Sequence, residues 1–190
     1  GIGVEFIRQL KRRRTFVAFL LVVALPLIVV AAVRFGPSSN GDAGSSQGGG
    51  FGGGNFDLVG LATSGAWNFT ITMLLFSSGF LLVIIAAMFL GDTVASEASW
   101  STLRYLLVAP VPRRKLLRTK AVVGLLLTAI VLLTLVLASW AIGAIAFGTA
   151  PLASPFGGAL TQIESLQRLT VITTYIAITL LFPAAIAFLM

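Results

Sequence analysis

The stretch Gly91–Lys120, GDTVASEASWSTLRYLLVAPVPRRKLLRTK, decides how the rest of the chain is read. No Asp, Glu, Lys or Arg occurs from Leu58 to Gly91, and none from Ala121 to Ile163. Each uncharged run is long enough to cross a bilayer as a helix, which takes about 20 apolar residues. The charged island is therefore a loop between two membrane spans. It holds six of the 13 Lys and Arg residues, one Glu inside an apolar-aromatic pattern, and a Pro-x-Pro stop at Pro110 and Pro112.

Composition agrees with this reading. Hydrophobic residues make up 57% of the chain and charged residues only 10%, with a mean hydropathy of +1.02. A soluble domain carries about 25% charged residues. A water-soluble reading is excluded, and the fold class expected is an all-α polytopic membrane protein. The sequence has no Cys and no His, which removes disulfides, thiolate chemistry, haem ligation and the commonest metal ligands. A net charge of +7 would point to nucleic acid in a soluble protein. Here the placement of the charges explains it better, and no nucleic-acid partner is expected.

With the island as one of them, the chain divides into eight segments in order. Residues 1–14 form an interfacial helix, with Phe6, Ile7 and Leu10 on one side and Glu5, Arg8, Gln9 and Lys11 elsewhere; it ends in Lys11, Arg12, Arg13 and Arg14. Residues 15–33 are the first span, with Pro26 inside it as an expected kink. Residues 34–66 are rich in Gly and Ser and read as a flexible external loop. The second span is 67–90, with Trp67 as an interfacial anchor and Ser77-Ser78-Gly79 at its middle. That cluster reads as a close helix contact before it reads as a substrate-facing site.

The island, 91–120, comes next, then a third span over 121–147 with Ser139 and Gly143 as a small-residue face. An external loop over 148–169 ends in a short amphipathic piece, Leu160–Leu169, and 170–190 is a fourth span with Pro183 as a candidate break. The chain opens on Gly and stops inside an apolar run, so these four spans are expected to be the front part of a longer protein.

Charge placement gives the topology. With the N-terminus inside and the spans alternating, five Lys and Arg fall in the N-terminal segment and six in the island, against Arg34 and Arg168 outside. This is the positive-inside pattern, and it makes the island cytoplasmic.

Within the island, Trp100, Leu103 and Leu107 recur at helical spacing with Leu106 beside them, giving one apolar face. Arg104 lies off that stripe. Glu97 is expected to open the helix, where the macrodipole favours a carboxylate, and Pro110 and Pro112 to end it. Arg113, Arg114, Lys115, Arg118 and Lys120 then orient the third span by snorkelling. The plainer reading is a basic loop on the membrane, with Trp100 and Tyr105 as interfacial anchors.

Glu97, Thr102, Leu103, Leu106, Leu107, Pro110, Arg113 and Lys120 stand in an order that resembles the permease subunits of ABC transporters of the type-2 exporter class. That family joins its second and third spans by a cytoplasmic segment patterned Glu, three residues, Gly-Thr-Leu, two residues, Leu-Leu, Pro, Arg, and a Lys opening the next span. This chain has Ser101 where the family usually has Gly, and Pro112 where it often has Ser. The match is close over about 30 residues and agrees elsewhere in layout.

The resemblance implies a coupling helix docked on a separate ABC ATPase subunit, with Glu97, Trp100, Thr102, Leu103, Arg104 and Leu107 as contacts. It also implies six spans in all, a second permease copy or a related permease beside this one, and a prokaryotic plasma membrane. ATP and Mg would sit on the partner, with no cofactor on this chain, since the sequence holds no Walker-type Gly-x-x-x-x-Gly-Lys-Ser/Thr. No catalytic residue and no metal ligand is expected here.

Two readings of other classes stay open. A membrane scaffold would use the same loop to anchor a cytoplasmic complex without transport. An ATP-independent carrier would place ionisable residues or broken helices at the midplane, and the spans carry no charge.

Overall fold

The computed structural model describes residues 7, 9–10, 12–35, 58–99, 113–150, 152 and 161–189. The elements in order are α1 (Arg13–Phe35), α2 (Leu58–Thr63), α3 (Ala66–Gly79), α4 (Leu81–Ser99), α5 (Arg113–Phe147) and α6 (Gln162–Leu189). All the regular elements among the described residues are helices. Three of them, α1, α5 and α6, are long and apolar enough to cross a membrane. α3 and the first part of α4 pass the same test when taken together, as a pair bent by 53° at Phe80. The protein is an all-α polytopic membrane protein.

The helix bounds differ from the sequence reading in ways that local chemistry explains. α1 takes in Arg13 and Arg14 and runs on to Phe35, with Pro26 inside it. Before it, Ile7, Gln9 and Leu10 are helical, and the Gln9 carbonyl accepts both the Arg12 N–H (3.2 Å) and the Thr15 hydroxyl (2.7 Å). The stretch read as a Gly-rich loop closes with a helical turn, α2. α5 opens at Arg113 rather than at residue 121, because Pro112 is the last breaker before it. α6 begins at Gln162, inside the stretch read as a loop. There Thr161 and Glu164 form a reciprocal cap: the Thr161 N–H donates to Glu164 Oε2 at 3.0 Å, and the Glu164 N–H to the Thr161 hydroxyl at 3.4 Å. The amphipathic piece and the fourth span are thus one helix, and it continues through Pro183.

α5 organises the packing, touching α1, α3, α4 and α6. Val123, Leu127, Val131, Leu135, Ser139 and Gly143 recur every fourth residue and are all buried. They form one i±4 ridge, large at one end and small at the other. At the small end α3 comes in close: a Cβ on Gly143 would stand 3.0 Å from Phe69 Cδ1 and 3.2 Å from the Ala66 Cα. Trp67 meets Trp140 edge to face with centroids 6.2 Å apart, and Phe69 meets Phe147 at 5.5 Å. The small-residue face read at Ser139 and Gly143 is a packing face.

The same end holds the helix termini together. The Ala66 N–H donates to the Gly148 carbonyl (3.0 Å), just where Gly148 takes a left-handed φ of 79°. Arg34, in the last turn of α1, donates to the Ala146 carbonyl. At the opposite end α4 lies against α6, with the Cβ position of Gly91 3.5 Å from the Ala187 carbonyl. Outward faces of α1 and α6 are apolar and exposed, as at Phe16, Ile28, Val171 and Phe182. Such faces suit hydrocarbon.

Candidate coupling segment

α4 positions the segment that follows it. No proline interrupts residues 81–99, and Gly91 alone costs only about 1 kcal/mol against Ala. The helix therefore propagates from Leu81 through Glu97 to Ser99. At 1.5 Å per residue, Glu97 stands about 10 Å beyond Leu90, the last apolar residue before the charges. One uninterrupted helix joins it to the apolar run Leu81–Leu90. This corrects the expectation that Glu97 opens a helix: the backbone is already helical well before it, so the stabilisation of a carboxylate at a helix N-terminus does not apply.

Trp100, Thr102, Leu103, Arg104 and Leu107 lie outside the described residues, as does Lys11. Arg113, Arg114 and Lys115 open α5. Arg13 and Arg14 are exposed at the start of α1, on the turn of the half-buried Arg12. Arg118 is exposed, whereas Lys120 is buried at 6% exposure. Of the two, only Arg118 has the open position that snorkelling needs.

The spans present little polar chemistry. Thr70, Thr72, Thr128, Thr134, Thr173, Thr174 and Thr179 each donate to the carbonyl four residues back, at 2.8–2.9 Å. An apolar groove of about 430 Å³ lies between α5 and α6, lined by residues such as Val122, Leu126, Ala129, Ile178 and Leu181. Its hydroxyls, Thr128 and Thr174, are among those already committed. Ser77 and Ser139 differ: both are fully buried, and neither hydroxyl has a hydrogen-bond partner.

The sequence reading missed the break at Phe80. Its signal was present in Ser77-Ser78-Gly79, since sharp bends without proline gather at Gly/Ser pairs. Gly79 is no packing glycine, because nothing lies within 4 Å of its Cβ position.

Residues 2–190 match the family model for the ABC-2 family transporter protein. The chain belongs to the ABC-2 family. No match was found among curated proteins or among solved structures. As an ABC-2 membrane domain with apolar spanning helices, the chain is a multi-pass transport permease. ABC-2 permeases generally work with an ABC ATPase partner.

Proposed function

We propose that this ABC-2 permease is the membrane-spanning subunit of an ATP-driven exporter in a prokaryotic plasma membrane, with its N-terminus cytoplasmic. A partner ABC ATPase holds ATP and Mg and hydrolyses the nucleotide; this chain performs no chemistry of its own. The coupling contacts are Glu97, Trp100, Thr102, Leu103, Arg104 and Leu107. Lys11 to Arg14 and Arg113 to Lys115 fix the orientation through the positive-inside rule. A second copy, or a related permease, completes the substrate path.

The observation that carries this reading is the unbroken α4, which joins the span to the segment bearing the family's Glu-x-x-x-x-Thr-Leu pattern at Glu97, Thr102 and Leu103. A partner bound there acts on the spans by favouring one of their arrangements over another. The apolar groove and the committed threonines favour an apolar or amphipathic substrate over an ion.

The test is affinity purification in mild detergent from the native host, followed by mass spectrometry. The intact protein is compared with a variant whose residues 97–107 are replaced by a Gly/Ser linker. An ATPase with a Walker motif should accompany the intact protein and be lost from the variant. If none accompanies the intact protein, the island is a membrane-lying loop or a scaffold anchor instead.

A further inference from the structure

Taken as one crossing, α3 and α4 place their break at membrane depth. By helix rise, Phe80 is about 21 Å from Ala66 and about 18 Å from Asp92, in a crossing whose hydrocarbon portion is about 30 Å thick. The Ile84 N–H donates to the Phe80 carbonyl at 3.1 Å, the first bond of the α4 ladder. The N–H groups of Leu81, Leu82 and Val83 stand ahead of that bond, so the ladder that would carry α3 straight into α4 is interrupted. No proline forces this. Ser77, Ser78 and Gly79 lower the cost of breaking the ladder without forbidding its repair.

The two halves both touch α5 and α6, but α3 packs mainly on α5 and α4 divides its packing between α6 and α5. α3 is fixed to the Phe147 end of α5 by the Ala66–Gly148 hydrogen bond, the Trp67–Trp140 and Phe69–Phe147 ring contacts, and the close seat at Gly143. α4 packs on α6 and on the other end of α5, with Leu90 seated on Gly124 and Gly91 facing Ala187. At the joint itself the Cβ position of Gly79 has open space around it and Phe80 is 72% exposed, while Ser77 before it and Leu82 after it are buried.

We propose that the Gly79–Phe80 break is a hinge about which α4 swings as one rigid arm, with α6, against the clasp that α3 makes with α5. The arm is about 29 Å long from Phe80 to Ser99, so a 10° rotation moves Ser99 by about 5 Å. Bending at the break stands on the geometry above. Its being driven from the Glu97 end rests on the coupling reading, and the experiment separates the two.

The chain has no Cys, so paired spin labels can be placed on the full-length protein without removing native thiols. Thr72→Cys with Ala87→Cys spans the hinge; Val122→Cys with Leu137→Cys spans the same number of residues within α5, which contains no proline. Leu75→Cys with Ala87→Cys is a second hinge pair that begins at an exposed position. Distance distributions are measured in lipid nanodiscs, then repeated with Gly79→Ala, whose methyl meets no atom within 4 Å and favours helix continuation.

The hinge pairs should give a distribution at least about twice as wide as the α5 pair, and Gly79→Ala should narrow it. A width equal to that of the α5 pair overturns the hinge. So does a broad distribution that Gly79→Ala leaves unchanged, because the motion then lies elsewhere. With a co-purified ATPase, ATP plus vanadate should shift the mean hinge distance and leave the α5 pair in place. A broad hinge distribution that nucleotide does not shift keeps the hinge and sinks the coupling reading. A narrow one, with the ATPase bound and active, does the reverse.

Discussion

Arg34 Nη2 donates to the carbonyl oxygen of Ala146 at 2.9 Å, joining two residues 112 positions apart. The last turn of α5 carries no basic residue of its own, so the guanidinium supplied by α1 meets the negative end of that helix. A cation there stabilises by about 0.3–1 kcal/mol at an exposed site. Arg34→Gln should therefore lower the thermal midpoint in detergent by roughly 2–4 °C per kcal/mol lost, the scale for a chain of this size. Arg34→Lys should lower it less, keeping the charge but not the reach.

The glycines of α5 should respond unequally to the same methyl group. At Gly143 a Cβ meets a backbone atom, the Ala66 Cα at 3.2 Å, and a clasped ring, Phe69. At Gly124 the only atoms it meets that close belong to a side chain, Leu90 Cγ at 3.1 Å and Cδ1 at 3.2 Å, with the nearest backbone atom 3.6 Å away. Gly143→Ala should cost about 1–3 kcal/mol from overpacking, despite the better helix propensity of alanine. Gly124→Ala should cost less, because a side chain rather than backbone has to shift. Thermal unfolding of the two single variants side by side reads the difference, and equal effects would contradict the packing described at Gly143.

Ser77 and Ser139 bury hydroxyls that bond to nothing. An unsatisfied buried polar group costs about 1–3 kcal/mol, so the usual expectation for a buried substitution is reversed here. Ser77→Ala and Ser139→Ala should leave stability unchanged or raise it. Destabilisation of either by more than about 1 kcal/mol would mean that its hydroxyl has a partner in the membrane.

Glu97→Arg should weaken association with the ATPase while leaving insertion and folding intact. The site lies about 10 Å past Leu90, the last apolar residue before the charges, and charge reversal at an interfacial ion pair typically costs several kcal/mol. Pull-down of the ATPase beside a gel-filtration profile of the permease checks both halves. Normal pull-down and normal stimulation of ATP hydrolysis would remove Glu97 from the contact set.

What could be read directly in the sequence was whatever charge and hydropathy decide. The uncharged runs flanking the island predict membrane crossings, and α3 with α4 covers the first and α5 the second. Helix ends were harder to read, because they depend on local caps. Thr161 and Glu164 carry the Thr-x-x-Glu signature of a capping box, yet the pattern was absorbed into a separate amphipathic piece. Glu97 was placed at a helix start because the island was read in isolation; the helix entering it from Leu81 was legible only as a lack of breakers. The bend at Phe80 was hidden for a different reason. Hydropathy is blind to direction, so two half-helices meeting at an angle have the same profile as one straight span.

The clasp at the Gly148 end has a consequence for the chain between α1 and α3. Arg34 fastens to Ala146 and Ala66 to Gly148, so the end of α1 and the start of α3 meet beside a single helix end. A connection whose two ends are pinned together by other contacts adds little to the free energy of the fold as it grows. Each doubling of its length costs only about 0.6 kcal/mol. This is therefore the place where the protein should accept foreign sequence, from an epitope to a folded domain with neighbouring termini, and keep its membrane helices in register.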